Sequence, residues 1–341
     1  MKIEPLVSII ILNLNKKEIL KDCLETLKEQ SYKNFEIILV DNGSTDDSVS
    51  FVKENFPEVK IIANKRNLGF AAGNNQGLKI AGGKYIVTLN NDTQVEKSWL
   101  KNLVVTSETD EKIGMCASKI LSIKNPEQID SVGINICIDG MTRGRGRLEI
   151  NDGQYEKTEE VLLPSACAAL YKREMLDEIG FFDEDFFAYC EDSDLGLRGR
   201  FAGWKAFLAP EAVVYHYYSL TSKKYSSLKA FLVERNHVLL AVKFFPPELL
   251  LFFPFLTLYR FALQFYAAII KKGATSEFLS QYSFLDTAAI IFKAYFDALK
   301  KMPLFIKKRI IIQKSKKMSR AEFYSWLKKY KLTFKEVVFK K

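Results

Sequence analysis

Histidine is nearly absent from this chain: His216 and His237 are the only two among 341 residues. A metal centre built from several histidines is therefore excluded. Cysteine is sparse and unpatterned. Cys23, Cys116, Cys137, Cys167 and Cys190 are odd in number and include no CxxC pair, which predicts reduced thiols in a cytosolic setting rather than a disulfide framework. Two glycine signatures are also missing. Gly69, Gly73 and Gly77 match neither GxGxxG nor GxxxxGK followed by Ser or Thr, so dinucleotide-binding and P-loop sites lose their main support. The start, Met1-Lys2-Ile3-Glu4-Pro5, leads straight into an apolar run, without the segments of a signal peptide. Nor is there a clean apolar run of the roughly 20 residues that a transmembrane helix wants. Residues 249–259 and 261–270 are apolar, but Glu248, Arg260, Gln264, Pro246, Pro247 and Pro254 interrupt the stretch.

The charge is unevenly spread. The net +9 combines 22 Lys+Arg against 7 Asp+Glu in residues 226–341 with 28 against 34 in residues 1–225. Halves of opposite sign predict two jobs. The basic half mixes apolar runs with lysine clusters (Lys300-Lys301, Lys307-Lys308-Arg309, Lys314, Lys316-Lys317, Lys328-Lys329). That pattern fits helices lying in an anionic membrane surface better than it fits a nucleic-acid binder. A soluble helical domain or a dimer face with solvated lysines is the alternative.

The first half alternates apolar runs with helical patterns. Residues 7–12, 35–40, 59–63, 85–89 and 113–121 have strand length, while 16–30, 70–81 and 98–109 carry helical spacing. Ser44 with Asp47 reads as a helix start. Such alternation predicts a parallel sheet with right-handed crossovers. Open α/β sheets bind ligands outside the carboxyl ends of their strands. Four polar loops are expected there: Asn13-Leu14-Asn15, Asp41-Asn42-Gly43-Ser44, Asn67 through Gly73 and Asn74, and Asn90-Asn91-Asp92. An Asp at a strand end can accept from a base or ribose, and small residues at a helix N-terminus let backbone N–H groups approach a diphosphate. One carboxylate plus phosphate oxygens is enough to hold Mg²⁺, which singles out Asp92. A turn and helix cap before Trp99 is the plainer reading of the same residues.

Taken together, residues 7–13, Val40-Asp41-Asn42-Gly43-Ser44-Thr45-Asp46, residues 67–75 and Leu89-Asn90-Asn91-Asp92 resemble glycosyltransferase family 2. The resemblance covers residues 5–220 and is greatest to the rhamnosyltransferase-like branch of cell-surface polysaccharide assembly. It implies a GT-A fold, a nucleoside-diphosphate sugar donor, Mg²⁺ or Mn²⁺, and inversion at the anomeric carbon. It assigns Asn13, Asn15, Asp41, Asn67, Gly73, Asn74, Asn90 and Asn91 to the nucleotide sugar. The family's metal motif is often Asp-x-Asp; Asn90-x-Asp92 keeps the last acidic position, the one that usually ligates metal.

Glu191 and Asp192 form the second constellation, with Phe181, Phe182, Phe186, Phe187 and Tyr189 close in sequence. A carboxylate held against aromatic rings has a raised pKa and makes a better base. Inverting transfer needs one such base to deprotonate the acceptor hydroxyl. The family's Glu-Asp motif places that base at Asp192 and leaves Glu191 for the acceptor. Asp194 and Arg198 are expected to pair along the helix. His216 falls where some family members supply a metal-ligating histidine. No QxxRW-like sequence follows Glu191-Asp192, which argues for transfer of one or a few sugars rather than processive synthesis. Residues 141–147, rich in arginine and glycine, read as a solvated hairpin or a mobile lid.

The expectation is therefore an α/β protein with a GT-A unit at 1–225 and a helical, membrane-contacting extension at 226–341. Its partners would be a nucleoside-diphosphate sugar, a glycan or lipid-linked acceptor and an anionic membrane, with no nucleic acid. Its place would be the cytoplasm, peripheral on the inner face of the cell membrane. A silent nucleotide-sugar-binding subunit and a nucleotidyltransferase are the competing classes. The second suffers because Asn13-Leu14-Asn15-Lys16-Lys17 lacks a glycine-rich basic loop.

Overall fold

The computed structural model describes residues 4–217 and 226–340. It divides into two compact units, one of residues 1–134 and 144–221, the other of 135–143 and 222–341. The expected boundary at 225 lies outside the described residues. The passage of residues 135–143 into the second unit was not foreseen.

In the first unit the apolar runs become β1 (Val7–Asn13), β2 (Phe35–Asp41), β3 (Lys60–Ala63) and β4 (Tyr85–Asn90). Short β5 (Thr93–Val95) precedes β6 (Ile113–Ser122) and β7 (Ile129–Ser131), while β8 (Ile134–Ile136) and β9 (Thr142–Gly144) pair with each other and fall almost wholly in the second unit. Then come β10 (Glu159–Val161), β11 (Ala168–Lys172) and β12 (Lys205–His216). The main sheet runs β10-β12-β6-β11-β4-β1-β2-β3, with β5 on β12 and β7 on β6. Helices α1 (Lys17–Lys28), α2 (Ser48–Asn55), α3 (Phe70–Ile80), α4 (Trp99–Glu108), α5 (Arg173–Ile179) and α6 (Glu191–Phe201) complete the unit. Alternate residues of β1 enter different cores, Ile9 and Ile11 one and Ile10 the other. That two-sided burial is why the run is continuously apolar.

The parallel part of the sheet follows the expected alternation. β1 lies between β2 and β4, with Asn13 opposite Asp41 and Leu12 opposite Asn90, so three of the polar loops leave the same edge. β11 was not anticipated. It runs antiparallel between β4 and β6. All five of its residues are buried, so it shows no alternation, and its two alanines carry little strand propensity.

Two local expectations change. Helix α2 begins at Ser48, not at Ser44, because the Ser44 hydroxyl is already given to Asp41. Residues 249–270 form one helix rather than a pair, since Pro254 lies inside it without breaking it. α3 approaches β1 through glycines: a Cβ on Gly73 would sit 2.3 Å from Leu12 Cδ1, and one on Gly77 2.6 Å from Ile10 Cγ2.

The second unit is helical: α7 (Ser227–Phe244), α8 (Pro247–Ile269), α9 (Gly273–Leu279), α10 (Phe284–Ser315), α11 (Arg320–Lys329) and α12 (Phe334–Phe339). Ser319 with Glu322 and Thr333 with Glu336 form capping boxes that start α11 and α12. Residues 135–143 are tied in by Arg143, which donates to the carbonyls of Glu336 and Lys340. α8 is the single described helix long and apolar enough to cross a membrane by length and composition.

Candidate active site

At the carboxyl edge of the sheet, amides and a carboxylate form one chain. Asn91 Nδ2 donates to Asn13 Oδ1 at 2.7 Å, and Asn13 Nδ2 donates to Asp41 Oδ1 at 3.0 Å. Asp41 Oδ2 accepts from the Ser44 N–H at 2.9 Å. Asn15 enters a left-handed turn at φ 60°; its N–H donates to Ser44 Oγ and its side-chain oxygen accepts from the Thr45 N–H. Asn42, which sequence reasoning left without a role, links the next loop. Its Nδ2 donates to Asn67 Oδ1 at 2.9 Å and to the Gly69 carbonyl, while its Oδ1 accepts from the Leu68 N–H.

The segment before α6 braces that loop. Asn75 exchanges hydrogen bonds with the backbone of Phe182, and the Ala71 N–H donates to the Phe187 carbonyl. Gly69 stands at φ 89°, and a Cβ there would meet Phe187 at 2.6 Å, so both backbone conformation and space require glycine. Gly73 and Asn74 look elsewhere. Gly73 faces Leu12, and Asn74 is buried, donating to the Phe70 carbonyl.

Asp92 lies just beyond β4, and His216 ends β12. Pairing of β12 with β5 sets His216 opposite Thr93 and so beside Asp92. His216 Nε2 lies 3.2 Å from Asp92 Oδ1, and both side chains are buried. On the other side of the ring, His216 Nδ1 lies 2.7 Å from Asp130 Oδ2. Arg147 donates to Asp130 Oδ1 at 2.7 Å. Burial opposes a charged His216, but Cys167, Asp130 and Asp92 outweigh it and raise its pKa well above the usual value. The charged imidazole pairs with both carboxylates; once its Nε2 proton is lost, an oxygen and a nitrogen donor face each other, with a carboxylate behind the imidazole as in many metal sites. This donor set fits Mg²⁺ or Mn²⁺ completed by phosphate oxygens and water. Among the described residues no three His, Cys, Asp or Glu side chains converge on one ion.

Residues 141–147 include β9, which pairs with β8 as a half-buried hairpin, and the arginines that follow are held by carboxylates. Arg145 pairs with Glu159 at 2.7 Å, and Arg147 holds Asp130.

Glu191 and Asp192 open α6, following Tyr189 and Cys190 at φ 67° each. Asp192 accepts from the Ser193 N–H at 2.7 Å and from the Ala166 N–H at 3.4 Å. Glu191 is buried and its Oε2 has no hydrogen-bond partner. Burial, then the neighbouring Asp192 charge, push the Glu191 carboxyl well above the ordinary range. Burial raises Asp192 as well, but the N–H donors of Ser193 and Ala166 work against it. Both carboxyls are thus raised, Glu191 without a partner on Oε2 and Asp192 opposed by its N–H donors, so the two sit in different environments. Tyr171 of β11 is pushed well up by burial and then by the Asp192 charge, so its phenol stays neutral. Arg198 holds Asp194 at 2.8 Å, as expected.

The segment that leads into the unforeseen β11 joins the two constellations. Ala166 touches Asp192, and the next residue, Cys167, interacts with His216. The Cys167 carbonyl also accepts from the Asn90 N–H at 2.8 Å, fixing the Asn90-Asn91-Asp92 loop to the same segment. Asn90 itself is half-buried at the strand end. Of the expected residues, Asn13, Asp41 and Asn91 form one network, Asn15 and Asn67 flank it, and Asp92 meets His216. Asp130, Arg147, Asn42 and Tyr171 were missed. Asn42 and Arg147, each inside a stretch already singled out, carried a usable sequence signal.

The fold defines a class of protein, the GT-A type. The glycosyl transferase family 2 model matches residues 8–180, half of the chain, and the chain belongs to that family. A mannosyltransferase from Pyrobaculum calidifontis, solved with GDP-Man and Mn²⁺, superposes with a TM-score of 0.54 over 92% of this chain and 86% of that one, at 18% identity. GalNAc-T7, solved with UDP, GalNAc and Mn²⁺, gives a TM-score of 0.60 over 78% and 51%, also at 18% identity. These likenesses show the shared fold. In sequence, the Escherichia coli UDP-Glc:alpha-D-GlcNAc-diphosphoundecaprenol beta-1,3-glucosyltransferase WfaP is 37% identical over 107 residues, 31% of this chain and 42% of that protein. The chain spans 39% and 18% of the lengths of the first two curated relatives it matches.

Proposed function

We propose that this protein transfers a sugar from a nucleoside-diphosphate donor to a hydroxyl of a glycan or lipid-linked acceptor, inverting the anomeric carbon and adding one or a few sugars. The observation that carries this reading is the junction at Ala166-Cys167, where Asp192 and the Asp92–His216 pair attach to consecutive residues. In this reading the Asn13–Asp41–Asn91 chain and the Asn42–Asn67 loop receive the nucleoside. Asp92 and His216 hold Mg²⁺ or Mn²⁺, with Asp130 keeping the Nδ1 proton so that Nε2 is free to ligate. The ion supplies charge neutralisation for the departing diphosphate. Asp192 takes the proton of the acceptor hydroxyl as its oxygen attacks the anomeric carbon from the face opposite the diphosphate. Glu191, protonated, donates a hydrogen bond to the acceptor.

A lipid-linked acceptor is supported by the activity of the E. coli relative, which acts on a diphosphoundecaprenol-linked sugar. It would place the enzyme on the inner face of the cell membrane, with the second unit as the contact. A rhamnosyl donor is the first to test, on the sequence resemblance. The deciding experiment incubates a panel of UDP-, GDP- and dTDP-sugars with and without Mn²⁺ and follows release of nucleoside diphosphate. Release from one donor, lost on chelation and in Asp92→Ala, is the expected result. Donor binding with neither hydrolysis nor transfer would make the chain a sugar-binding subunit.

A further inference from the structure

Helix α8 is amphipathic in an unusual sense: its buried face is ionic and its exposed face is greasy. Arg260, midway along it, is fully buried. Its Nε donates to Asp139 at 2.7 Å, and Nη1 and Nη2 donate to the two oxygens of Glu234 at 2.8 Å each. Tyr295 and His237 close the cluster. On the opposite side Leu251, Phe255, Leu258, Phe265 and Ile269 recur at helical spacing, and all are exposed, Leu251 at 72% and Phe255 at 69%. α10 repeats the theme with a charged border. Leu285, Phe292, Phe296, Leu299, Ile306 and Ile310 form an exposed apolar stripe. Lys293, Lys300, Lys307 and Lys314, seven residues apart and all exposed, run along its flank.

We infer that the second unit binds an anionic bilayer in the plane of its interface, with the Leu251–Ile269 face of α8 and the α10 stripe inserted, and that α8 does not span. This deepens the membrane contact proposed above and is independent of the transfer chemistry. Length does not decide the matter, since 23 residues reach about 35 Å. The Arg260 cluster does. Its carboxylates come from α7 and from residues 135–143, so a spanning α8 would either leave an unpaired arginine in hydrocarbon or carry polar chain in with it. A basic helix with aromatic and aliphatic residues on its other face is the pattern of interfacial binding. The lysine row selects anionic headgroups over a second copy, because a twofold partner would bring the same row of charge to the same face.

Flotation of the full-length protein with vesicles of phosphatidylcholine, with and without phosphatidylglycerol, tests this. Binding should require phosphatidylglycerol. Phe255→Asp and Phe265→Asp should each weaken it about tenfold or more. Lys300→Gln and Lys307→Gln should each weaken it about fivefold. All four side chains are exposed, so melting temperatures should not change. Orientation is read by cysteines placed at Pro247 and Lys272, the two ends of α8, with an impermeant maleimide added outside preformed vesicles. In-plane binding labels both, above the background of the native cysteines. Protection of one end would establish a span and overturn the inference. So would failure to float, binding indifferent to all four substitutions, or a dimer in solution that Phe255→Asp dissociates. Unchanged donor hydrolysis alongside any of these would leave the transfer chemistry standing.

Discussion

Replacing Asp130 with asparagine changes one atom that never touches substrate, yet it should cripple metal binding. Asp130 accepts from His216 Nδ1 at 2.7 Å on one oxygen and from Arg147 at 2.7 Å on the other. Arg147 is a donor only, so it would hold the asparagine with its carbonyl oxygen toward the guanidinium. The amide NH₂ would then face His216 Nδ1 and demand a lone pair there. The imidazole proton moves to Nε2, the atom facing Asp92, and that nitrogen can no longer ligate. Loss of an outer-shell partner of a ligating histidine typically costs about 10- to 100-fold in metal affinity, or about 1.4–2.7 kcal/mol. The forced tautomer places this variant at the upper end. Mn²⁺ titration of the protein with its nucleoside diphosphate, once the donor panel has identified it, is read by loss of the free-ion electron-spin resonance signal and gives the affinity. ¹⁵N shifts of the His216 ring report the tautomer. The apparent KM for Mn²⁺ should rise far more than kcat at saturating metal falls. Affinity within twofold of wild type, with the proton still on Nδ1, would refute the reasoning.

Two further outcomes follow from packing and burial. Gly73→Ala should lower stability by about 1–3 kcal/mol through overpacking, because its Cβ would lie 2.3 Å from Leu12 Cδ1. That exceeds the roughly 0.5–1 kcal/mol that alanine gains in a helix; a thermal melt checks it, and Leu12→Ala should restore part of the loss. Glu191→Gln should become relatively more stable as pH rises. The folded Glu191 pKa lies above the unfolded one, so its contribution is complete below about pH 4.3 and is lost as pH climbs toward the folded value. Melting temperatures compared at pH 5 and pH 8 should show the gap moving in favour of the variant, and a constant gap would contradict the assignment.

What the sequence reveals follows from how far each signal reaches. β1, β2 and β4 are legible because burial on both faces makes each an unbroken apolar run, and a polar residue must then mark its end. Asn13, Asp41 and Asp92 are found by that logic alone. Glu191 and Asp192 need the family resemblance, since two acidic residues at a helix start also read as ordinary dipole complements. Asp130 carries no signal, and Arg147 only that of an arginine- and glycine-rich stretch, because their meaning comes only when β12 brings His216 to Asp92 and β7 sets Asp130 behind it. β11 hides because it is short, opens on two alanines of little strand propensity and ends on a lysine. Gly73 was expected to open a path for diphosphate, and the structure shows it admitting Leu12 instead. In the second unit the hydropathy of residues 249–270 is plain, but which face carries Arg260 and which carries Phe255 emerges only from packing.

The account stands or falls on Asp192 as the base. Asp192→Asn keeps the shape and, with its one remaining oxygen, the shorter hydrogen bond from Ser193, gives up the longer one from Ala166, and cannot accept a proton. Removing a general base typically costs about 10²- to 10⁴-fold in rate, about 3–5 kcal/mol of barrier. The decisive measurement is single-turnover transfer by this variant, with donor and Mn²⁺ affinities measured on the same sample. The account predicts a rate lower by at least about a hundredfold with both affinities unchanged. A near-normal rate would contradict it and move the base elsewhere, and a fall in donor affinity to match the rate would make Asp192 a structural residue.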